Sequence, residues 1–142
     1  MTKIMYVPVL DDSCADTSRF DGNYGRLEAL NLATRKVVWM QRHRSPDVSS
    51  VLVTAGGLVF DGSLDRQFRV SDAASGKVLW ETRLDNAAKS TPVTYTVGGK
   101  QYVAIIAGGH LQDAANPTAE SDIPSEAETL WILGLLGSGY GE

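Results

Sequence analysis

The chain has 142 residues, a net charge of −4 and a pI of about 5.1, and 43% of its residues are hydrophobic. This length allows one domain with a sizeable core, so we treat residues 1–142 as a single domain. No run of lysine or arginine occurs, which excludes nucleic acid and anionic membranes as expected partners. The single cysteine, Cys14, excludes an internal disulfide and is interpreted as a half-buried free thiol.

The amino terminus lacks the features of a targeting segment. Met1–Tyr6 has no long apolar core and no cleavage site, so the sequence predicts no signal peptide. We therefore expect a cytoplasmic location by default and no membrane insertion.

The first part of the chain predicts a strand, a loop and a hairpin. Lys3–Val9 alternates weakly and predicts a strand that Pro8 restricts to the edge of a sheet. Asp11–Asn23 is rich in Asp, Ser and Gly and predicts a long loop. Arg26–Asn31 and Val37–Arg42 are then expected to pair as the first hairpin.

The middle of the chain predicts two short strands and a second hairpin. His43–Asp47 is a polar linker, and Val51–Thr54 and Leu58–Phe60 are short strands joined at a Gly-Gly turn. The second hairpin runs over Gln67–Arg83. Its turn is expected to use an acidic acceptor, a hydroxyl and a glycine with positive φ, which are Asp72, Ser75 and Gly76.

The next segment predicts a third hairpin. Pro92–Val97 and Gln101–Ala107 are strands joined by the two-residue turn Gly98-Gly99. Because Tyr102–Ile106 is almost wholly apolar, the second of these strands is expected to be buried on both faces.

The carboxyl-terminal part is less regular. Residues 108–128 contain two prolines and several acidic residues and predict a loop insertion. Thr129–Leu133 is expected to be a final strand, and residues 137–142 a flexible tail. No window shows a sustained apolar period of 3.6 residues with caps, so helix is not expected.

The two hairpins are copies of one unit. Trp80 follows Trp39 by 41 positions, and the segments before them align residue for residue. A repeat of this length built from short strands indicates a β-propeller blade. The predicted fold is therefore all-β, a partial β-propeller of about three four-stranded antiparallel blades. The aligned pairs are Asn31 with Asp72, Thr34 with Ser75, and Lys36 with Lys77.

The repeated unit resembles the tryptophan-docking motif Ala-x-Asp-x-x-Thr-Gly-x-x-x-Trp of the eight-bladed quinoprotein alcohol and methanol dehydrogenases, which use pyrroloquinoline quinone (PQQ). The resemblance covers most of Lys3–Ala107. Two positions depart from the motif, since Val70 replaces the usual alanine and Arg35 the usual glycine. Arg35 argues against a tight positive-φ turn in the first hairpin. The segments that resemble the last blades of the family are Thr54–Phe60, Thr91–Tyr95 and Gly99–Ala104.

The resemblance implies a periplasmic redox enzyme, but the base and the calcium ligands of the family cannot be placed on any residue of this chain, and it has no adjacent cysteines. In the family an Asp acts as general base, a Glu and an Asn help to hold calcium beside the quinone, and adjacent cysteines lie over the ring. These come mainly from earlier blades than those matched here. Two cofactor-lining loops do fall in the matched region. In Asp47–Ser50, Val48 stands where the family has an aromatic residue, and 108–112 keeps glycines but lacks the aromatic.

We therefore assign no catalytic, cofactor-binding or metal-binding residue, and expect PQQ and calcium only if another chain completes the propeller. His43 and His110 are interpreted as solvent-exposed or loop histidines outside any metal cluster. The tryptophans Trp39 and Trp80 are expected to pack between blades and Trp131 in the core. Four aspartates without calcium-loop spacing are interpreted as turn and cap residues: Asp61, Asp65, Asp72 and Asp85.

A partial propeller leaves blade faces without partners, which favours association. We expect a homo-oligomer, most simply a twofold dimer. The predicted function is a truncated quinoprotein-dehydrogenase-like propeller that is not catalytically competent alone and self-associates through its open blade faces. One alternative is the C-terminal part of a PQQ-dependent alcohol dehydrogenase that another chain completes. A scaffold lipoprotein of the outer-membrane assembly type is a weaker alternative, since no lipobox cysteine follows a signal sequence.

Overall fold

The structure is a computed structural model that describes residues 3–10, 22–108 and 128–135. These residues form ten strands in three antiparallel sheets, with no helix among them. The strands are β1 (Ile4–Leu10), β2 (Gly25–Asn31), β3 (Lys36–His43), β4 (Leu52–Val53), β5 (Leu58–Gly62), β6 (Gln67–Asp72), β7 (Val78–Arg83), β8 (Val93–Val97), β9 (Lys100–Gly108) and β10 (Glu128–Leu135).

The sheets follow one another along the chain, as in successive propeller blades. The first has the order β1-β2-β3, the middle one β4-β5-β6-β7, and the third β10-β9-β8. The predicted all-β architecture of about three blades is confirmed. Within the described residues only the middle sheet has the predicted four strands, and the other two have three each.

The two repeated hairpins have the same irregularity at the same place. In the first, Ala29 pairs with Trp39 and Leu30 with Val37, which leaves one extra residue in β3. In the second, Val70 pairs with Trp80, and β7 again contains one extra residue. The two bulges lie 41 positions apart, so the structure confirms the sequence repeat.

The two hairpin turns are closed by side-chain oxygens, as turn chemistry predicts. The Asn31 side chain accepts hydrogen bonds from the amides of Ala33 and Thr34, at 3.0 and 3.2 Å. The Asp72 carboxylate accepts one from the Ser75 amide at 2.7 Å. These bonds fix the turns from which β3 and β7 depart.

The core lies mainly between the middle and third sheets. Phe60, Phe68 and Val70 of the middle sheet pack against Val103 and Ile105 of β9. The rings of Phe60 and Phe68 are stacked with centroids 6.2 Å apart. Large apolar side chains at alternate positions of facing strands thus join these two sheets.

Of two predictions about single strands, the one for the strand with Pro8 is confirmed and the one for the strand Gln101–Ala107 is wrong. Pro8 lies in β1, an edge strand of the first sheet, as its missing amide requires. The prediction that Gln101–Ala107 is buried on both faces is wrong, because Val103 and Ile105 are buried while Ile106 is 45% exposed. No described element covers the face of that sheet on which Ile106 lies.

Several predictions fall outside the described residues. The long loop Asp11–Asn23 is described only from Gly22 onwards, and the loop insertion 108–128 only at its two ends. The tail 137–142 lies wholly outside the described ranges, as do Cys14 and His110.

Candidate functional site

The seam between the first and middle sheets is built around Trp39. Its indole Nε1 donates a hydrogen bond to the Ala73 carbonyl at 2.9 Å, and the Tyr6 hydroxyl donates to the same oxygen at 3.0 Å. The Tyr6 and Trp39 rings are tilted at 45° with centroids 5.7 Å apart. Gln41 Nε2 donates to Ser71 Oγ at 2.9 Å and also to the carbonyl of Gly76 in the turn. Three side chains of one sheet therefore hold the hairpin turn of the next.

Position 76 requires glycine, because the Trp39 ring occupies the space that a side chain would fill. Its φ is +71°, and a Cβ there would lie 2.6 Å from Trp39 Cδ2 and Cε3. The equivalent residue of the first hairpin, Arg35, has φ 56°. The tight turn that Arg35 was expected to prevent therefore forms, and its arginine side chain is exposed. A tryptophan could not pack over this turn as Trp39 packs over Gly76, since a side chain is in the way.

Trp80 departs from the prediction that it is buried between blades. Its side chain is 46% exposed, and it shares an open groove of about 500 Å³ with Phe60, Val70 and residues of β10. Trp39 packs on the turn after Asp72. In the described part of the third sheet, the only hairpin turn is Gly98-Gly99, and it is not equivalent. Among the described residues, the indole of Trp80 therefore has no equivalent turn to pack against.

The third sheet has one apolar face turned away from the other two described sheets. We call it the outer face and define it by six residues. Cross-strand pairing places Leu130 beside Ile106, Ile132 and Val93 on either side of Ala104, and Tyr95 beside Tyr102. The two tyrosine rings are stacked with centroids 5.5 Å apart. These six side chains are exposed or half-buried: Val93, Tyr95, Tyr102, Ile106, Leu130 and Ile132.

Trp131 and Asp85 hold the third sheet to the middle one. Trp131 packs against the core, as predicted, and its Nε1 donates to Asp85 Oδ1 at 2.8 Å. Thr129 also donates to this carboxylate. The hydrogen bonds from Thr129 and Trp131 lower the pKa of Asp85. Asp85 is therefore a link between sheets rather than a turn residue, whereas Asp65 and Asp72 do accept from nearby turn amides.

Two further predictions, for His43 and Asp61, are wrong. His43 ends β3 with its side chain only 8% exposed, and Asp61 in the middle of β5 is 0% exposed. They lie with Asp47, whose backbone reaches the surface while its side chain is 1% exposed. Sequence reasoning treated the three as unrelated loop or turn residues. One available signal was the spacing of His43 and Asp47, which lie four positions apart at the two ends of the linker.

Burial controls the protonation of this group. Desolvation, reinforced by the charge of Asp61, raises the pKa of Asp47 to about 8, although the nearby Arg69 opposes the shift. Desolvation likewise raises the pKa of Asp61 to about 6, again against Arg69. The pKa of His43 falls to about 4, chiefly through burial and then through the positive charge of Arg69. His43 is therefore neutral at pH 7.

Within the described residues, the segments that correspond to the two cofactor-lining loops of the family do not form a surface that fits a quinone. The amides of Val48 and Ser49 both donate to the Gly62 carbonyl, at 3.0 and 3.1 Å, so the first loop lies against the end of β5. Its side chains offer no aromatic surface on which a tricyclic ring could stack. Of the second loop only Gly108 is described. That no residue of the chain is catalytic or binds a cofactor stays a prediction.

Across the described ranges, no helix has the length and apolar character needed to cross a lipid bilayer.

Comparison with known proteins identifies the family. The family model "Glucose/ethanol/alcohol dehydrogenase, beta-propeller domain" matches residues 12–103. The 1-butanol dehydrogenase (cytochrome c) of Thauera butanivorans is 44% identical over 85 residues, which are 60% of this chain and 12% of that protein. The quinoprotein ethanol dehydrogenase of Pseudomonas aeruginosa is 34% identical over 110 residues, 71% of this chain and 18% of that protein.

Solved structures agree with the sequence matches. The quinohemoprotein alcohol dehydrogenase ADHIIG of Pseudomonas putida HK5 has a TM-score of 0.57 at 36% identity, covering 59% of this chain and 12% of that one. A europium-containing methanol dehydrogenase has a TM-score of 0.59 at 37% identity, covering 62% and 16%. The chain thus spans less than a fifth of the length of these relatives. Because the family model matches well over half of its residues, the chain belongs to the PQQ-dependent glucose/ethanol/alcohol dehydrogenase β-propeller family.

Proposed function

We propose that the chain is a quinoprotein-dehydrogenase-like propeller segment that is not catalytically competent alone and that self-associates as a dimer through the outer face of its third sheet. The observation that carries the proposal is the apolar character of this face. Its central residues Leu130 and Ile132 are 60% and 53% exposed. Such positions in a propeller normally pack against a neighbouring blade.

The size of the face is large enough to drive association. Six neighbouring apolar or aromatic side chains expose on the order of a few hundred Å², as much as the largest patch of a typical monomer. At about 25 cal/mol per Å² their burial contributes several kcal/mol before association costs. A net charge of −4 is too small to keep two such faces apart at physiological salt.

A twofold arrangement is favoured over a head-to-tail one. A head-to-tail contact that copies the existing seam would bring the third sheet of one copy to the turn at Arg35 of the next. The existing seam needs glycine at the equivalent position, because a Cβ at Gly76 would lie 2.6 Å from the Trp39 ring. Arg35 therefore obstructs that contact, and two outer faces joining about a twofold axis avoid it.

The test is the oligomeric state of matched variants. Sedimentation at micromolar concentration should give a dimer for the unmodified chain and a monomer of about 15.3 kDa for Ile132→Glu. The control is Leu79→Glu, because Leu79 is also 53% exposed but lies in β7, away from the outer face. It should remain dimeric. A monomeric unmodified chain, or dissociation by Leu79→Glu alone, would contradict the proposed interface.

Catalytic incompetence is supported by the absence of an aromatic stacking surface in the described cofactor-lining loop, and a binding experiment tests it. Equilibrium dialysis should show no saturable binding of PQQ by the chain in the presence of calcium. With PQQ and calcium added, the chain should also not catalyse the reduction of a dye by an alcohol. Uptake and turnover by the chain alone would refute this part of the proposal.

A second candidate rests on the length of the relatives, since the chain covers 12–18% of the two dehydrogenases compared above. In this alternative, the chain is the C-terminal part of a PQQ-dependent alcohol dehydrogenase. Another polypeptide carries the remaining blades, covers the outer face and supplies the cofactor site. A neighbouring reading frame encoding the earlier blades, whose product restores PQQ binding when mixed with this chain, would favour it over the dimer.

A further inference from the structure

Three buried side chains from separate parts of the chain point at one place in the first seam. His43 ends β3, Asp47 lies in the linker after it, and Asp61 lies in β5 of the middle sheet. One ligand atom of each lies within 4.8 Å of the others. Their side chains are 8%, 1% and 0% exposed. Zinc bonds of about 2.0–2.2 Å need ligand atoms somewhat closer together, so a modest inward rotation of these side chains would bring all three within bonding distance of one ion.

The polar atoms of this cluster lack hydrogen-bond partners. His43 Nε2, both Asp47 oxygens and both Asp61 oxygens are buried without one. Arg69 Nη1 is 3.9 Å from Asp47 Oδ1 and 3.7 Å from Asp61 Oδ2, beyond hydrogen-bonding distance. It donates instead to Ser63 Oγ at 2.9 Å. Two ionised carboxylates buried this way would be costly, and one guanidinium cannot neutralise both, which agrees with the raised pKa of Asp47 when no ion is bound.

We propose that His43, Asp47 and Asp61 bind a divalent transition-metal ion of the zinc class. One imidazole nitrogen and two carboxylate oxygens are ligands that zinc accepts, with a further position for water. The nitrogen ligand disfavours calcium and magnesium, which prefer all-oxygen shells. The ion supplies the positive charge that the carboxylates lack. It also joins the first and middle sheets, because its ligands come from both sides of the seam.

The ion has a route to the site. His43 and Arg69 line an open groove of about 550 Å³ between the two sheets. Arg69 lies at the edge of the site, and its charge repels a cation at this range. We therefore expect the arginine to weaken metal binding, a property that a purely structural role in the seam would not produce.

The experiment uses the full 142-residue chain, stripped with a chelator and titrated with zinc chloride by calorimetry. One equivalent should bind and raise the melting temperature. Asp61→Asn and His43→Gln should weaken binding more than about tenfold, since loss of an outer-shell partner alone typically costs 10–100-fold. His110→Gln is the matched control, because the chain has two histidines, and it should bind like the unmodified chain. Arg69→Gln should bind more tightly.

Cobalt provides a readout that does not depend on stability. Cobalt(II) bound to the unmodified chain should give the visible absorption bands typical of a four- or five-coordinate site. The His43→Gln variant should lose these bands, so the test stands even if Asp61→Asn fails to fold. The proposal is overturned if the unmodified chain takes up no ion saturably, or if His110→Gln loses binding while His43→Gln retains it. It is also overturned if Asp61→Asn is more stable than the metal-treated parent, since the cluster then holds a proton rather than an ion.

Discussion

Replacing Gly76 with alanine tests whether the Trp39 contact holds the first seam together. Two costs add at this position. Alanine with φ near +71° loses about 1–2 kcal/mol in the left-handed region. Its Cβ would also lie 2.6 Å from the Trp39 ring, and such overpacking typically costs 1–3 kcal/mol. We expect Gly76→Ala to lower the free energy of unfolding by about 2–5 kcal/mol.

Gly57→Ala separates the two costs. Gly57 has φ +78°, but nothing lies within 4 Å of a Cβ built there. It should therefore lose only the backbone part, about 1–2 kcal/mol. Urea unfolding at one fixed protein concentration measures both, because association would otherwise change the apparent stability. In a Trp39→Leu background the extra cost of Gly76→Ala should largely disappear. Equal losses for Gly76→Ala and Gly57→Ala would refute the packing argument.

Three further predictions concern single residues. Trp39→Ala should cost about 3–5 kcal/mol by urea unfolding and Trp80→Ala clearly less, since Trp39 fills the seam while Trp80 is half exposed; the opposite order would contradict this assignment. Arg35→Gly should leave stability unchanged or raise it by up to about 1 kcal/mol, because it relieves a positive φ. The pKa of Asp85 is lowered in the folded chain, so its contribution is present above the ordinary value of 3.8 and is lost as pH falls through the lower folded pKa. Asp85→Asn should therefore destabilise at neutral pH, with a difference that shrinks in acid; a constant difference would argue against the carboxylate.

The repeat was predictable from sequence because it depends on local chemistry. The turn residues Asn31 and Asp72 and the paired tryptophans recur at one spacing, and the structure gives both hairpins the same turn and bulge. Strand boundaries followed from alternation and from glycine pairs. These features require no knowledge of which sheet lies next to which.

The environment of Trp80, His43 and Asp61 could not be predicted in the same way. Trp80 has the same local sequence context as Trp39, and its exposure depends on what the third sheet presents to it. Asp61 interrupts the apolar strand Leu58–Gly62, and a charged residue inside such a strand indicates a buried polar contact rather than a turn. Its partners come from a linker that crosses the seam, and sequence spacing between His43 and Asp61 does not encode that proximity.

The bulge common to both hairpins separates two demands on each strand. The turn fixes where β3 and β7 begin, while the neighbouring sheet fixes which way the tryptophan must point. Successive side chains of a strand point to opposite faces of the sheet. In a regular hairpin, the position of the turn would therefore also fix the face on which the tryptophan lies. The extra residue, Val38 in one copy and Leu79 in the other, absorbs the mismatch. Deleting either residue would turn the segment on one side of it to the opposite face of the sheet. In the first hairpin, this single position therefore determines whether Trp39 can pack on the turn of the neighbouring sheet.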